Sequence, residues 1–130
     1  MAGTVLVAND KSSDQKELAI HHFMQGEFLL NQGNYALAVL EFQDALDIDP
    51  NASTIHISIA DAYRRLGRSK HAEDHLRISI DLDPEELSSR EMLGHLYLIN
   101  RRYDDAEKEF LVLSELDISN DNYITILGDL

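Results

Sequence analysis

The chain has 130 residues, 44% of them apolar, and its 24 acidic residues against 11 Lys and Arg leave a formal net charge of −13. That excess disfavours duplex nucleic acid and anionic membrane surfaces, which are bound through Lys and Arg, and leaves a basic or neutral protein partner open. There is no cysteine, which removes disulfides, thiolate catalysis and cysteine-based zinc sites.

No apolar run approaches the roughly 18 residues that span a bilayer. The opening MAGTVLVAND lacks the basic stretch of a secretory signal, so a cytoplasmic protein is expected. Residues 1–13 show no helical period and end in NDKSSD, which predicts a mobile N-terminal tail. Asp14 with Glu17 three positions on reads as a helix N-cap and its reciprocal partner. A helix is expected from there to Gln32. Gly33 stops it, because glycine enters the left-handed region without a Cβ clash, and Asn34 is placed to cap the next helix. That second helix carries Ala38, Leu40, Phe42, Ala45, Leu46 and Ile48, mostly at steps of three and four. Pro50 prevents its continuation and restricts Asp49.

The pattern then returns at a shift of 34 residues. Gly26 is followed by Ala60 and Gly94, Leu29 by Tyr63 and Tyr97, Ala38 by Ala72 and Ala106, and Phe42 by Leu76 and Phe110. Pro50 is followed by Pro84, and the series breaks at Ile118. Small residues at one crossing of each helix pair let the backbones approach, and the large residues fill the space beside it. Only contact positions are held by packing, so the others drift.

Spacing, residue size and proline placement together resemble the tetratricopeptide repeat. The second unit reads IADAY from Ile59 to Tyr63, AEDHL from Ala72 to Leu76, then Pro84; the third reads LGHLY from Leu93 to Tyr97 and AEKEF from Ala106 to Phe110. The resemblance implies an all-α fold, a right-handed superhelical solenoid of antiparallel helix pairs. It divides the chain into three repeats at about residues 19–52, 53–86 and 87–120, within a span of 14–120 whose first helix is extended. Residues 121–130 would begin a fourth repeat or a capping helix. There are departures. His22, His56 and Arg90 replace the large aromatic that often opens the unit. Gln25 stands where Ile59 and Leu93 are apolar, and Arg101 stands where Gly33 and Gly67 make the turn. YITILGDL at the end is apolar on one face, so residues 121–130 are expected to pack on more of a longer array, a partner or a second copy.

In this family the first helices of successive units line a concave groove that commonly holds a partner's peptide or helix. By resemblance the groove here carries Ile20, Phe23, Glu27, Leu30 and Asn31; then Thr54, Ile57, Asp61, Arg64 and Arg65; then Ser88, Glu91, His95, Leu98 and Ile99. Contiguous apolar surface among them would mark a binding site. Members that grip a chaperone's C-terminal carboxylate use Lys, Asn and Arg. The matching places hold Phe23, Glu27, Ser58, Ser88 and Met92, so that clamp is absent.

The remaining constellations read as ordinary surface. His71 and His75 have an i, i+4 spacing that could bind zinc, but Lys70 and Arg77 flank them and no third ligand is fixed, so a solvated helix face is expected. His21 and His22, being adjacent, diverge toward packing or solvent. DIDPNAS from Asp47 begins like a calcium loop and fails at Ala52 and Ser58, where glycine and glutamate are needed. No phosphate loop or nucleophile motif is present, so no enzyme, metal or cofactor is expected. The function expected is capture of a partner segment with apolar anchors and basic residues. The alternatives are the scaffolding or oligomerising end of a longer array, and an accessory segment of an enzyme whose catalytic domain lies elsewhere.

Overall fold

The structure is a computed structural model that describes residues 2–130, with side chains from Ser12 onward. Among the described residues it contains seven α-helices and no strand. They are α1 (Ala2–Asn31), α2 (Tyr35–Ile48), α3 (Ser53–Arg65), α4 (Ser69–Leu82), α5 (Leu87–Ile99), α6 (Tyr103–Leu116) and α7 (Asp121–Asp129). α1 packs chiefly on α2, α3 on α4, and α5 on α6; each pair then packs on the next, and α7 closes on α6. This is an all-α helical repeat solenoid.

The first helix departs from expectation. It begins at Ala2, so the segment expected to be a tail is helical from there, and Asp14 lies inside the helix. From Thr4 to Gln25 there is no glycine or proline to stop a helix, and extending an existing helix is far easier than nucleating one. Asn34 does occupy the N-cap position of α2, but its side chain accepts no capping hydrogen bond. Side-chain capping occurs instead at Glu86, which accepts from the Ser88 amide at 2.9 Å, and at Asn120, which accepts from the Asn122 amide at 3.0 Å.

The turn within each helix pair is built the same way three times. The amides of Asn34, Arg68 and Arg102 reach back to the carbonyls of Leu29, Tyr63 and Tyr97 at 2.9, 2.9 and 2.8 Å. Gly33 and Gly67 supply the left-handed residue, with φ of 81° and 74°. Arg101 takes the same place with φ of 61°, the one non-glycine in that region among the described residues. The second helices also end alike. Asp49, Asp83 and Asp117 leave the helical conformation with φ of −129°, −143° and −130°, and their amides return to the carbonyls of Ala45, Ser79 and Leu113. Proline follows in two cases and Ile118 in the third, so the turn does not depend on proline.

The core runs through the pairs as a line of size-matched contacts. A Cβ added at Gly94 would lie 2.8 Å from Phe110 Cζ, and one added at Gly26 would lie 2.6 Å from Phe42 Cδ1. Both phenylalanines are fully buried, and each such burial is worth about 1.5–3 kcal/mol. In the middle pair the places are taken by Ala60 and Leu76, equally buried. A larger residue on one helix is met by a smaller residue on the other.

Polar contacts tie the helices further. His22 Nδ1 lies 2.7 Å from Glu41, and Arg90 donates to Glu109 at 3.2 Å. The equivalent contact in the middle pair joins His56 Nδ1 to His75 Nδ1 at 3.0 Å. Between the second and third pairs, buried Glu73 accepts from Arg102 at 2.8 Å and from Tyr97 at 3.1 Å. Burial pushes the Glu73 carboxyl up, but the hydrogen bonds from Arg102, Tyr97 and Arg77 outweigh it and hold it below its ordinary value. Ser79 and Ser89, also buried, bond each other at 2.7 Å across the same junction.

Candidate functional site: the face formed by α1, α3 and α5

α1 touches α3 and α3 touches α5, so the first helices of the pairs line up along one face. Three hollows open along it. One of about 610 Å³ lies between α1 and the turn joining α2 to α3, lined by Ile20, Phe23 and Thr54 together with Ala19, Ile48 and Ile55. A second, of about 390 Å³, is lined by Arg64, Ser88, Glu91, His95 and Ile99 with Met92. A third, also about 390 Å³, shares Glu91 and His95 and adds Asn120, Tyr123 and Ile126.

Eight of the expected groove residues thus meet in hollows: Ile20, Phe23, Thr54, Arg64, Ser88, Glu91, His95 and Ile99. Ile20 and Ile99 offer the most apolar surface, being 57% and 69% exposed. Phe23 is half-buried, its ring 6.0 Å from that of Phe42, so only part of it faces the first hollow. The other seven line none of the three. Leu30 and Leu98 are packed against the core. Ile57 is half-buried and Asn31 exposed. Arg65 turns aside to the Tyr35 hydroxyl at 3.3 Å and to Asp61 at 3.4 Å.

The expected acids differ in what they have left to offer. Asp61 accepts from Arg64 at 2.6 Å as well as from Arg65. Glu91 accepts from the Tyr123 hydroxyl, whose proton is held up to about 12 by burial and by that bond. Glu27 is half-buried, and its Oε1 is, among the described residues, the one buried side-chain oxygen without a hydrogen-bond partner. The residues that sequence reasoning missed are Ile48 and Ile55, which flank the Pro50 turn, and the α7 side chains that extend the face. Their signal is the apolar spacing itself, but it marks them equally well as core.

The histidine pair on α4 is not one solvated face. His71 is exposed, its ring 4.9 Å from that of Tyr63, while His75 is half-buried against His56 and Tyr63. His56 Nε2 lies 2.8 Å from the Pro50 carbonyl, which can only accept, so Nε2 carries the proton. His56 Nδ1 then accepts from His75 Nδ1–H. Burial, with the nearby His56 and His71 and against the pull of Asp74, pushes the His75 imidazole down to about 4. Among the described residues no helix is long and apolar enough to cross a membrane.

A family model described as Tetratricopeptide repeat matches residues 7–53 and 57–120. DnaJ homolog subfamily C member 3 of Bos taurus is 33% identical over 89 residues, 68% of this chain and 18% of that protein. Protein O-mannosyl-transferase F38B6.6 of Caenorhabditis elegans is 32% identical over 76 residues, 58% of this chain and 11% of that protein. The chain therefore spans less than a fifth of the length of these two relatives. Among solved structures, the first tetratricopeptide domain of Spaghetti (RPAP3) bound to the HSP90 peptide SRMEEVD superposes with a TM-score of 0.79 at 21% identity, covering 88% of this chain and 90% of that one. The corresponding domain of Arabidopsis OM64 gives 0.78 at 17%, covering 85% and 92%.

Proposed function

Because the chain belongs to the tetratricopeptide repeat family, we propose that it is a protein-interaction module that takes a partner's peptide or helix along the α1–α3–α5 face. The observation that carries this reading is the hollow at Ile20 and Phe23, with Glu27 one helical turn beyond Phe23 and one of its oxygens unmet. A buried acceptor left unmet costs about 1–3 kcal/mol. A Lys or Arg of the partner would pair with the accessible side of this half-buried Glu27 carboxylate, while an apolar side chain beside it fills the hollow. The anchors then supply most of the affinity and the charges mainly rate and orientation.

The Spaghetti domain is seen with SRMEEVD, a peptide rich in acids. Here the same face carries Glu27 and Glu91, with Asp61 already paired to Arg64 and Arg65, in a chain of net charge −13, and Phe23, Glu27, Ser58, Ser88 and Met92 stand at the clamp places. Like charges repel such a tail, so the partner is of the opposite kind, apolar and basic.

Peptides selected on this chain from a random display library test the reading. Titrated with the best of them, Phe23→Ala is expected to weaken binding by about 1–3 kcal/mol with helix content intact. Glu27→Lys slows association more at low salt than at high salt, because screening already blunts that charge. SRMEEVD is expected not to bind. An acidic consensus, or full affinity in Phe23→Ala, would overturn the proposal.

A second role is favoured by the exposure of Ile118 and Ile124, at 81% and 60%. We propose that the α7 end also supports self-association or docking within a longer array, including one that serves a catalytic domain. Sedimentation equilibrium of Ile124→Asp against the parent checks this, with association expected to fall in the variant.

A further inference from the structure

Away from that face, three donor atoms of metal-binding type converge between α1 and α2. His22 Nδ1 lies 2.7 Å from Glu41 Oε2 and 4.0 Å from Asp44 Oδ2. All three ligand atoms fall within 4.8 Å of one another. His22 and Glu41 are half-buried and Asp44 is exposed, so one side of the cluster is open to water.

Helix packing accounts for two of these residues and not the third. The His22–Glu41 contact recurs as His56–His75 and Arg90–Glu109. The place of Asp44 is held by Ile78 and Val112 in those pairs, so the contact forms without a third polar group. Whatever charge the imidazole carries, two carboxylates leave the cluster net negative, and a divalent cation between them relieves their repulsion.

We infer that His22, Glu41 and Asp44 form a binding site for one zinc ion. One imidazole and two carboxylates suit a borderline ion, whereas magnesium and calcium call for oxygen alone and softer ions for thiolates. Three protein ligands leave a fourth tetrahedral position for water. Donors around tetrahedral zinc are about 3.3 Å apart, so the short His22–Glu41 contact opens by roughly half an ångström and the longer Asp44 contact closes by a similar amount. Both are side-chain adjustments at a surface. The ion then replaces a hydrogen bond as the tie between α1 and α2.

Calorimetric titration of the full, untagged chain with zinc chloride tests the site. The expected result is one saturable site, weakened at least roughly tenfold in Asp44→Asn and in His22→Gln, unchanged in His71→Gln, and absent with magnesium chloride. Zinc should also raise the parent's melting temperature and leave that of Asp44→Asn unmoved. Asp44 is exposed and outside the core, so that variant decides the matter should His22→Gln fail to fold. No stoichiometric zinc binding by the parent, parent-like affinity in Asp44→Asn, loss of binding in His71→Gln, or equal binding of magnesium would each overturn the inference.

Discussion

The middle helix pair and its neighbours meet the same two contacts with different residues. At the close crossing α1–α2 and α5–α6 set glycine against phenylalanine, Gly26 with Phe42 and Gly94 with Phe110, while α3–α4 sets Ala60 against Leu76. At the polar contact the outer pairs join a base to a carboxylate, and the middle pair joins two histidines. What is preserved at the crossing is the summed volume of two facing side chains. What varies at the polar contact is how it responds to protons.

The largest effect should come from disturbing that volume. Gly94→Ala places a carbon 2.8 Å from Phe110 Cζ, and overpacking of this kind costs roughly 1–3 kcal/mol or more. Phe110→Leu alone leaves a cavity. The two together reproduce the middle pair, so denaturant unfolding should show the double variant more stable than the sum of the singles, with a coupling of roughly 1–3 kcal/mol. Strict additivity would mean that glycine and phenylalanine are not matched.

A smaller effect is expected at the polar contact, since His75 is only half-buried. Its imidazole is pushed down from 6.5 to about 4 in the folded chain, so the unfolded chain takes up a proton that the folded one refuses. Stability from this group is complete above pH 6.5 and declines as pH falls toward 4. His75→Glu restores a carboxylate opposite a histidine, as in His22 with Glu41. Thermal melts from pH 7 to 4 should then decline less steeply than in the parent. A steeper decline would contradict the pairing of His56 with His75.

The smallest expected effect lies at the third turn. Arg101 occupies a left-handed conformation that Gly33 and Gly67 adopt freely. Relief of that strain exceeds the added freedom of glycine in the unfolded chain, so Arg101→Gly should stabilise by roughly 0.5–1 kcal/mol. Equilibrium unfolding checks it, and destabilisation would mean that the arginine side chain matters more than its backbone.

Much of this was legible in the sequence because repetition multiplies weak signals. Gly33 and Gly67 marked two turns, and the 34-residue shift then located the third at Arg101 despite the wrong residue. The start of α1 was not legible, since Asp14 and Glu17 satisfy a capping pattern inside a helix as well as at its end. The groove residues implied by the resemblance all lie on α1, α3 and α5. Whether Leu30 or Leu98 faces a partner or the core depends on a fraction of a helical turn, which a period does not resolve. The His22–Glu41–Asp44 cluster was invisible because its ligands come from two helices and adjoin only after they pack. The half-buried His75 was missed for the same reason, its partner His56 lying on the preceding helix.

The central claim is that the α1–α3–α5 face takes an apolar, basic segment. Amide chemical-shift mapping of the labelled chain with a display-selected peptide tests it most directly. The account predicts the largest shifts around Ile20, Phe23, Glu27 and Thr54, spreading toward Ser88 and His95, and none of that pattern with SRMEEVD. Shifts confined to α2, α4 and α6, or the same map produced by the acidic peptide, would contradict it.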